Sequence, residues 1–116
     1  MNQRTYLQDI VNRIDQIERF THEGEAAFLA DDRTQEAVIR CFEVIGEAIK
    51  RLDSELLTQY PSIPWRDFTG FRDVLIHQYD KILLPKVWQA VQEDLAPLRI
   101  VVEQMLAELP NDGDQR

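Results

Sequence analysis

The chain has 116 residues, of which 44% are hydrophobic and 29% charged, with a formal net charge of −8. This length suits one domain with a core of its own and is too short for two. The acidic balance argues against a protein that holds nucleic acid through a broad basic face. No apolar run reaches the roughly 18 to 20 residues of a membrane span, and the first residues lack a signal-peptide core, so we expect a cytoplasmic protein without membrane contact.

Apolar residues recur at three- and four-residue steps along most of the chain, which indicates amphipathic helices. Long helices are predicted over about residues 4–20, 33–52, 65 to 79–82 and 85–109, and short ones over 25–29 and 55–60. This pattern predicts an all-α protein, an antiparallel helical bundle of about four main helices plus one or two short helices. We expect the bundle to occupy residues 1–109 and residues 110–116 to form a disordered tail.

Several residues are suited to helix ends. Gly24 is expected as the C-terminal cap of the first helix, since glycine readily adopts a positive φ. Asp32 and Gln35 have the spacing of a capping box at the start of the long second helix, and Ser54 can cap the short helix that follows.

Prolines mark the breaks between helices. Pro61 and Pro64 lack a backbone N–H, so they end the short helix before the next one opens at Trp65. Pro85 suits the first turn of the last helix. Pro97 lies inside the last apolar repeat and predicts a kink or break near residues 94–96.

Two residues with reactive side chains are not assigned a catalytic role. Cys41 lies in the apolar stripe of the second helix, so we expect a buried, chemically silent residue. His22 follows the first helix, where a solvated side chain or a cap fits better than catalysis.

Gly46 and Glu47 lie beside the apolar stripe of the second helix. A glycine there costs about 1 kcal/mol of helix propensity relative to alanine, which suggests that another helix approaches closely. Glu47 can be an ion-paired structural acid or a group that orients Arg72. We favour the structural role, although the two are compatible.

An arginine, a histidine and a tyrosine occupy eight consecutive positions of the third long helix, at Arg72, His77 and Tyr79. On a regular helix Arg72 and Tyr79 share a face, whereas His77 points about 140° away from Arg72. Either the helix unwinds near His77, or two copies of the chain meet and supply the groups jointly. The second option predicts a two-fold dimer with a shared cleft.

These three side chains suit cleavage of RNA without a metal or another cofactor. A histidine can give or take the proton of a ribose 2′-hydroxyl as it attacks the adjacent phosphate, and an arginine can stabilise the developing charge. Residues 65–86 carry four basic and three acidic side chains, so this segment is net positive in an acidic chain. A polyanionic substrate would therefore bind at this segment.

Structural roles for the same residues remain open. Arg72 can pair with Glu47 or Asp73, His77 can be a hydrogen-bonded core residue, and Tyr79 can cover the core with its hydroxyl in water. On the residues alone these roles take precedence over catalysis, because an arginine and a histidine five positions apart occur together often.

Further residues accompany the motif Arg72-x4-His77-x-Tyr79. They are Gly70-Phe71, Pro61-x-Ile63-Pro64-Trp65, Gly46-Glu47-Ala48 and Val87-Trp88. Together these segments resemble the HepT-like toxins of the HEPN superfamily, over about residues 28–109. The polar residue expected after the motif arginine is here Asp73.

The resemblance implies a helical homodimer whose cleft collects Arg72 and His77 from both chains. It implies a metal-independent endoribonuclease, the toxin of a type VII-like toxin–antitoxin system. It also implies a cognate antitoxin, a minimal nucleotidyltransferase of the MntA type, which transfers AMP to Tyr79. An added phosphate and adenine would fill the cleft and repel an RNA phosphate.

A rival hypothesis belongs to another class of protein. The same cleft can be a non-catalytic module that binds a nucleotide or docks a nucleotidyltransferase, with Arg72 gripping a phosphate and His77 only donating a hydrogen bond. Toxicity of the chain expressed alone distinguishes the nuclease from this module.

Overall fold

Seven α-helices and no strands make up the part of the chain that the computed structural model describes, residues 2–78, 80 and 82–110. In chain order they are α1 (Gln3–Phe20), α2 (Glu25–Ala30), α3 (Asp32–Lys50), α4 (Ser54–Thr58), α5 (Trp65–His77), α6 (Leu84–Glu93) and α7 (Leu95–Glu108). The all-α class predicted from the apolar spacing is confirmed. None of these helices combines the length and the apolar character that a membrane span requires.

Helix α1 runs antiparallel to both α3 and α7. Near its start, the Gln3 side chain accepts a hydrogen bond from the backbone of Asp53, just past α3 (2.7 Å), and Arg4 donates to the carbonyl of Leu109, just past α7 (3.1 Å). Near its end, two carboxylates pair with Arg99 from the first half of α7, at 2.6 and 2.7 Å. Helix α1 is therefore held near both of its ends by hydrogen bonds or ion pairs to residues in or next to α3 and α7.

The core lies where the apolar stripes of α1, α3 and α7 face one another. The side chains with no exposed surface there are Leu7, Ile10, Ile14, Ile17, Val38, Ile45, Leu98, Val102 and Met105. Helix α5 packs against the outer face of α3, and short α2 covers α6, where the rings of Phe28 and Trp88 lie 5.4 Å apart. Most of the periodic apolar positions of the sequence are thus packed in the core.

The boundary between α1 and α2 differs from the prediction for Gly24. Helix α1 ends earlier, at Thr21, whose hydroxyl donates to the carbonyl of Ile17 (2.7 Å). Gly24 has φ of 97°, but it stands before α2 as its N-cap. Glycine is used at a positive φ as expected, in the turn that redirects the chain rather than at the helix end.

Two further caps lie one residue from their predicted positions. Asp31, whose backbone is extended, caps α3 by accepting from the backbone N–H of Arg33 (3.1 Å), so Asp32 is already helical. Gln35 does not close a capping box, because its amide donates to the carbonyl of Phe28 at the end of α2 (3.0 Å). Ser54 is the first residue of α4 rather than its cap.

The breaks predicted at proline are confirmed. Helix α5 opens at Trp65, whose indole N–H donates to the carbonyl of Tyr60 across the proline segment (3.0 Å). Pro85 lies in the first turn of α6, and the final helical region divides at Asp94. Pro97 consequently falls in the first turn of α7, where its missing N–H leaves no hydrogen bond unmade. Of the predicted tail, residues 111–116 lie outside the described residues.

Candidate active site

Helix α5 crosses α3 at the point where Gly46 faces Arg72. A Cβ atom built on Gly46 would overlap the Cβ of Arg72 and lie 2.8 Å from its Cγ and 3.1 Å from the carbonyl oxygen of Phe68. Any larger residue would push the two helices apart. The close approach predicted at Gly46 is confirmed, and Arg72 is the residue that fills the space.

Two carboxylates hold the guanidinium group of Arg72. Its Nη2 donates to Oε2 of Glu47, and its Nη1 donates to Oδ1 of Asp73, both at 2.9 Å. The side chain is 20% exposed, and its Nε is buried with no hydrogen-bond partner among the described residues. Glu47 is therefore an ion-paired acid, as favoured from the sequence, and Arg72 is one of its partners.

Each of these carboxylates also binds a second cation from the end of α3. Glu47 accepts from Nε and Nη2 of Arg51 through Oε1, at 3.1 and 2.8 Å. Asp73 accepts from Nζ of Lys50 at 2.7 Å. The five side chains form one network, which we call the Arg72 network, in which three cations and two carboxylates leave a net charge of +1.

The cations of the Arg72 network favour the ionised form of both acids. Hydrogen bonds from Arg51, and then the charge of Arg72, lower the pKa of the Glu47 carboxyl from its usual value. Hydrogen bonds from Lys50 and then from Arg72 lower the pKa of Asp73. At neutral pH both acids are charged, which keeps Arg72 paired on two sides.

Lys50 and Arg51 were not among the site residues predicted from the sequence. A signal was present for Arg51, because a glutamate and an arginine four positions apart on a helix are within pairing distance. Lys50 reaches Asp73 across the contact between two helices. No local spacing encodes that pair, so only the packing of α5 on α3 brings it together.

His77 is the last residue of α5, and its side chain is exposed. Its ring makes no hydrogen bond to any residue that the structure describes. The helix continues through His77, with the backbone N–H of Gln78 still donating to the carbonyl of Val74 (2.9 Å), so it does not unwind before the histidine. On this regular helix His77 points about 140° away from Arg72.

Tyr79, the expected site of AMP transfer, lies outside the described residues. Helix α5 ends at His77, and Gln78 is its C-cap. The expectation that α5 reaches residues 79–82 is therefore wrong by two residues or more. The role of Tyr79 stays a prediction.

The other two reactive side chains lie as expected. Cys41 is buried in α3, and burial raises the pKa of its thiol, which leaves it the small apolar residue that was predicted. The exposed His22 has its Nδ1 3.0 Å from the carbonyl oxygen of Arg19, as a residue that covers a helix end does. Within the described ranges, no group of three or more His, Cys, Asp or Glu residues is arranged to hold a metal ion.

Most of the chain matches one known protein family. The profile of the family described as "Ribonuclease HepT-like" matches residues 10–105, which include all seven helices at least in part. The chain belongs to the ribonuclease HepT-like family. The family assignment made from the motif is thereby confirmed.

This HepT-like chain is similar to several proteins whose names describe them as ribonucleases. It is 42% identical to the "Probable ribonuclease HepT" of Thermococcus cleftensis, over 83% of the chain and 88% of that protein. It is 34% identical to the "Putative RNase MJ0125" of Methanocaldococcus jannaschii, over 91% and 92%. It is 35% identical to "Gamma-glutamylcyclotransferase and putative RNase MJ0434" of the same organism, over 97% of the chain but 51% of that longer protein. No solved structure matches.

Proposed function

We propose that this HepT-like protein is a metal-independent endoribonuclease that cleaves RNA at the interface of a homodimer and acts as the toxin of a type VII-like toxin–antitoxin system. One observation carries the proposal: a single helix of a ribonuclease HepT-like chain presents an exposed His77 and an Arg72 whose direction is fixed by ion pairs. The relatives named as ribonucleases support the chemistry. We place the protein in the cytoplasm, where cellular RNA is found.

The proposed reaction breaks the RNA backbone without water as the first nucleophile. The ribose 2′-oxygen forms a bond to the adjacent phosphorus, and the bond from phosphorus to the 5′-oxygen breaks. The 2′-hydroxyl loses a proton and the leaving 5′-oxygen gains one, and His77 carries one of these transfers. The products are a 2′,3′-cyclic phosphate and a 5′-hydroxyl.

Arg72 stabilises the charge that develops on the phosphorus oxygens. A guanidinium has five N–H donors, and the two ion pairs of Arg72 use one donor on each of Nη1 and Nη2. The second N–H on each Nη atom can bind phosphate while Glu47 and Asp73 fix the plane of the group. A group that is oriented beforehand needs little rearrangement in the transition state.

The direction of His77 is the argument for a dimer. Because α5 stays helical through His77, one chain points its Arg72 and His77 about 140° apart. Exposed Val74 and Ile76 lie on either side of His77, at about 60° and 100° around the helix. A second copy packed on this apolar rim would bring its own Arg72 and His77 to the same cleft.

We further propose that the toxin is silenced by AMP transfer from a cognate minimal nucleotidyltransferase to Tyr79. The hydroxyl of Tyr79 would attack the α-phosphorus of ATP, releasing pyrophosphate and its own proton. The added phosphate would bring negative charge to the segment that carries Arg72 and His77 and compete with RNA. Tyr79 lies outside the described residues, so the support for this step is the resemblance of the motif.

The test is growth of cells that express this chain alone, with their total RNA examined. Wild type should arrest growth and fragment RNA, whereas His77→Ala and Arg72→Ala should do neither. His22→Ala removes the other histidine and should behave as wild type. Circular dichroism checks that each variant is folded. Full toxicity of a folded His77→Ala or Arg72→Ala variant would refute the catalytic assignment.

The same assay tests the AMP proposal with the nucleotidyltransferase co-expressed. Wild type should be silenced and should gain the mass of AMP, and Tyr79→Phe should stay toxic and unmodified. Silencing of Tyr79→Phe through AMP transfer would refute the assignment of Tyr79.

A second candidate function is a non-catalytic module that binds a nucleotide or docks a nucleotidyltransferase. Two observations favour it: the single chain already pairs both Nη atoms of Arg72 with carboxylates, and the net charge is −8. This module predicts that a folded wild type leaves growth and RNA unchanged and binds ATP in a titration.

A further inference from the structure

Lys50 and Arg51 place two more cations beside Arg72, at the C-terminal end of α3. Lys50 shares Asp73 with Arg72, and Arg51 shares Glu47 with it. Since the two carboxylates lie on different Nη atoms of Arg72, the added cations flank its guanidinium. The side chains of Lys50 and Arg51 are 39% and 57% exposed.

We propose that Lys50 and Arg51 bind the RNA backbone phosphates on either side of the phosphate that Arg72 holds. This inference rests on the proposed function and extends its site by two residues from another helix. A single strand of RNA would then cross the end of α3 and reach the face of α5. The recognised group is the phosphodiester, so this contact is independent of base sequence.

Charge is the first support for this assignment. A chain with a net charge of −8 repels a polyanion over most of its surface, so binding needs a local cationic region. The Arg72 network is such a region, with three cations against two carboxylates. Without Lys50 and Arg51, Glu47 and Asp73 would outnumber Arg72 and the site would be negative.

The low strength of the existing ion pairs is the second support. Exposed ion pairs contribute little to stability, because water screens them. Lys50 and Arg51 can therefore turn part of their donors to phosphate at small cost. Lysine has three N–H donors and arginine has five, so each can keep its carboxylate and bind a phosphate as well. The release of counterions from the RNA favours binding of these donors to phosphate.

A role in positioning alone makes a different prediction. If Lys50 and Arg51 only hold Asp73 and Glu47 in place for Arg72, their loss lowers the cleavage rate and leaves the salt dependence of RNA binding unchanged. If they touch phosphate, each loss reduces the number of counterions released and flattens the salt dependence. The slope of affinity against salt thus separates the two roles.

The experiment measures binding of a single-stranded 2′-O-methyl RNA oligonucleotide to the full chain by fluorescence anisotropy, over about 50 to 400 mM salt. This probe lacks the 2′-hydroxyl nucleophile and stays intact. Lys50→Gln and Arg51→Gln should each reduce the slope of log affinity against log salt by about 0.7 and raise Kd about fivefold near 0.1 M salt. Circular dichroism confirms that the variants are folded.

Arg40→Gln is the matched control. Arg40 lies on the same helix, is 66% exposed and pairs with Glu43, away from the Arg72 network. It should keep the wild-type slope. If Arg40→Gln reduced the salt dependence of RNA binding as much as Lys50→Gln and Arg51→Gln do, RNA would be attracted by any surface cation. That result would overturn the assignment of Lys50 and Arg51.

Cleavage of unmodified RNA by the wild type distinguishes failure of this inference from failure of the proposed function. If the wild type cleaves RNA and Lys50→Gln and Arg51→Gln keep its salt slope, only the phosphate contacts are refuted. If the wild type neither cleaves RNA nor binds the oligonucleotide, the proposed function and this inference are both overturned.

Discussion

At the scale of single residues, Arg72 is held by two ion pairs and keeps further N–H donors. The ion pairs of Arg72 with Glu47 and Asp73 leave N–H donors unused on both Nη atoms. Pairs as exposed as these contribute little to folding, so their main effect is on direction. In the proposed reaction, the two acids stay bound to the arginine while these free N–H donors bind phosphate.

The pH dependence of the Glu47 contacts follows from the lowered pKa of its carboxyl. A carboxyl with a lower pKa in the folded state stabilises that state above its unfolded pKa, near 4.5, and loses this contribution as the pH falls through the folded value. Glu47→Gln should therefore lower the free energy of unfolding at pH 7, by less than about 1 kcal/mol because solvent screens the pair. The difference from wild type should shrink as the pH falls below 4.5.

Urea denaturation of wild type and Glu47→Gln at pH 7 and at acid pH measures this difference. All other acids are common to both proteins, so their titration cancels in the comparison. A difference that stays constant down to acid pH would contradict the electrostatic origin of the effect. The cause would then be the different hydrogen bonding of an amide in place of the carboxylate.

At the scale of helices, two glycines on facing elements have opposite surroundings. Gly46 of α3 abuts Arg72, whereas a Cβ added to Gly70 of α5 would meet no atom within 4 Å. Both lie inside a helix, and each costs about 1 kcal/mol relative to alanine in propensity alone. Replacing each glycine by alanine therefore gives a matched pair of variants, whose free energies of unfolding show how much stability depends on the close packing of α3 on α5.

Gly46→Ala should destabilise the protein by about 1 to 3 kcal/mol, since the added methyl overlaps Arg72 and forces α5 away from α3. The same shift should break the pair between Glu47 and Arg72 and reduce RNA cleavage. Gly70→Ala should be neutral or stabilising by up to about 1 kcal/mol. Urea denaturation at one protein concentration measures both variants, and equal losses at the two positions would contradict the packing explanation.

The helices themselves and the approach at Gly46 could be predicted from sequence because their signals are local. Apolar spacing, prolines and the cost of a glycine inside a helix each act within a few residues. The caps at Asp31 and Thr21 were missed because neighbouring polar residues, such as Asp32, satisfy the same pattern, and backbone direction decides between them. Lys50 was missed because its partner Asp73 belongs to another helix.

At the scale of the whole molecule, exposed apolar side chains surround the end of α5. Val74 and Ile76 flank His77, and Leu83, which precedes α6, lies with Val74 around a surface depression of about 300 Å³. Single exposed apolar residues are normal on a protein surface, whereas a group of them beside a candidate site indicates a contact surface. The proposed dimer would cover this group and leave the Arg72 network at the edge of its cleft.

Leu83→Glu should convert the proposed dimer to monomers and abolish RNA cleavage together, because a charge buried at the interface without a partner opposes association. Leu83 is 63% exposed, so the folded chain should tolerate the change. Ile100→Glu is the control, since Ile100 is 67% exposed on α7, on an element that carries none of the proposed catalytic residues. Sedimentation velocity should show that Ile100→Glu is a dimer, and an RNA cleavage assay should show that it is active. A monomeric wild type that cleaves RNA would refute the shared cleft, and His77 and Arg72 would then have to act from one chain.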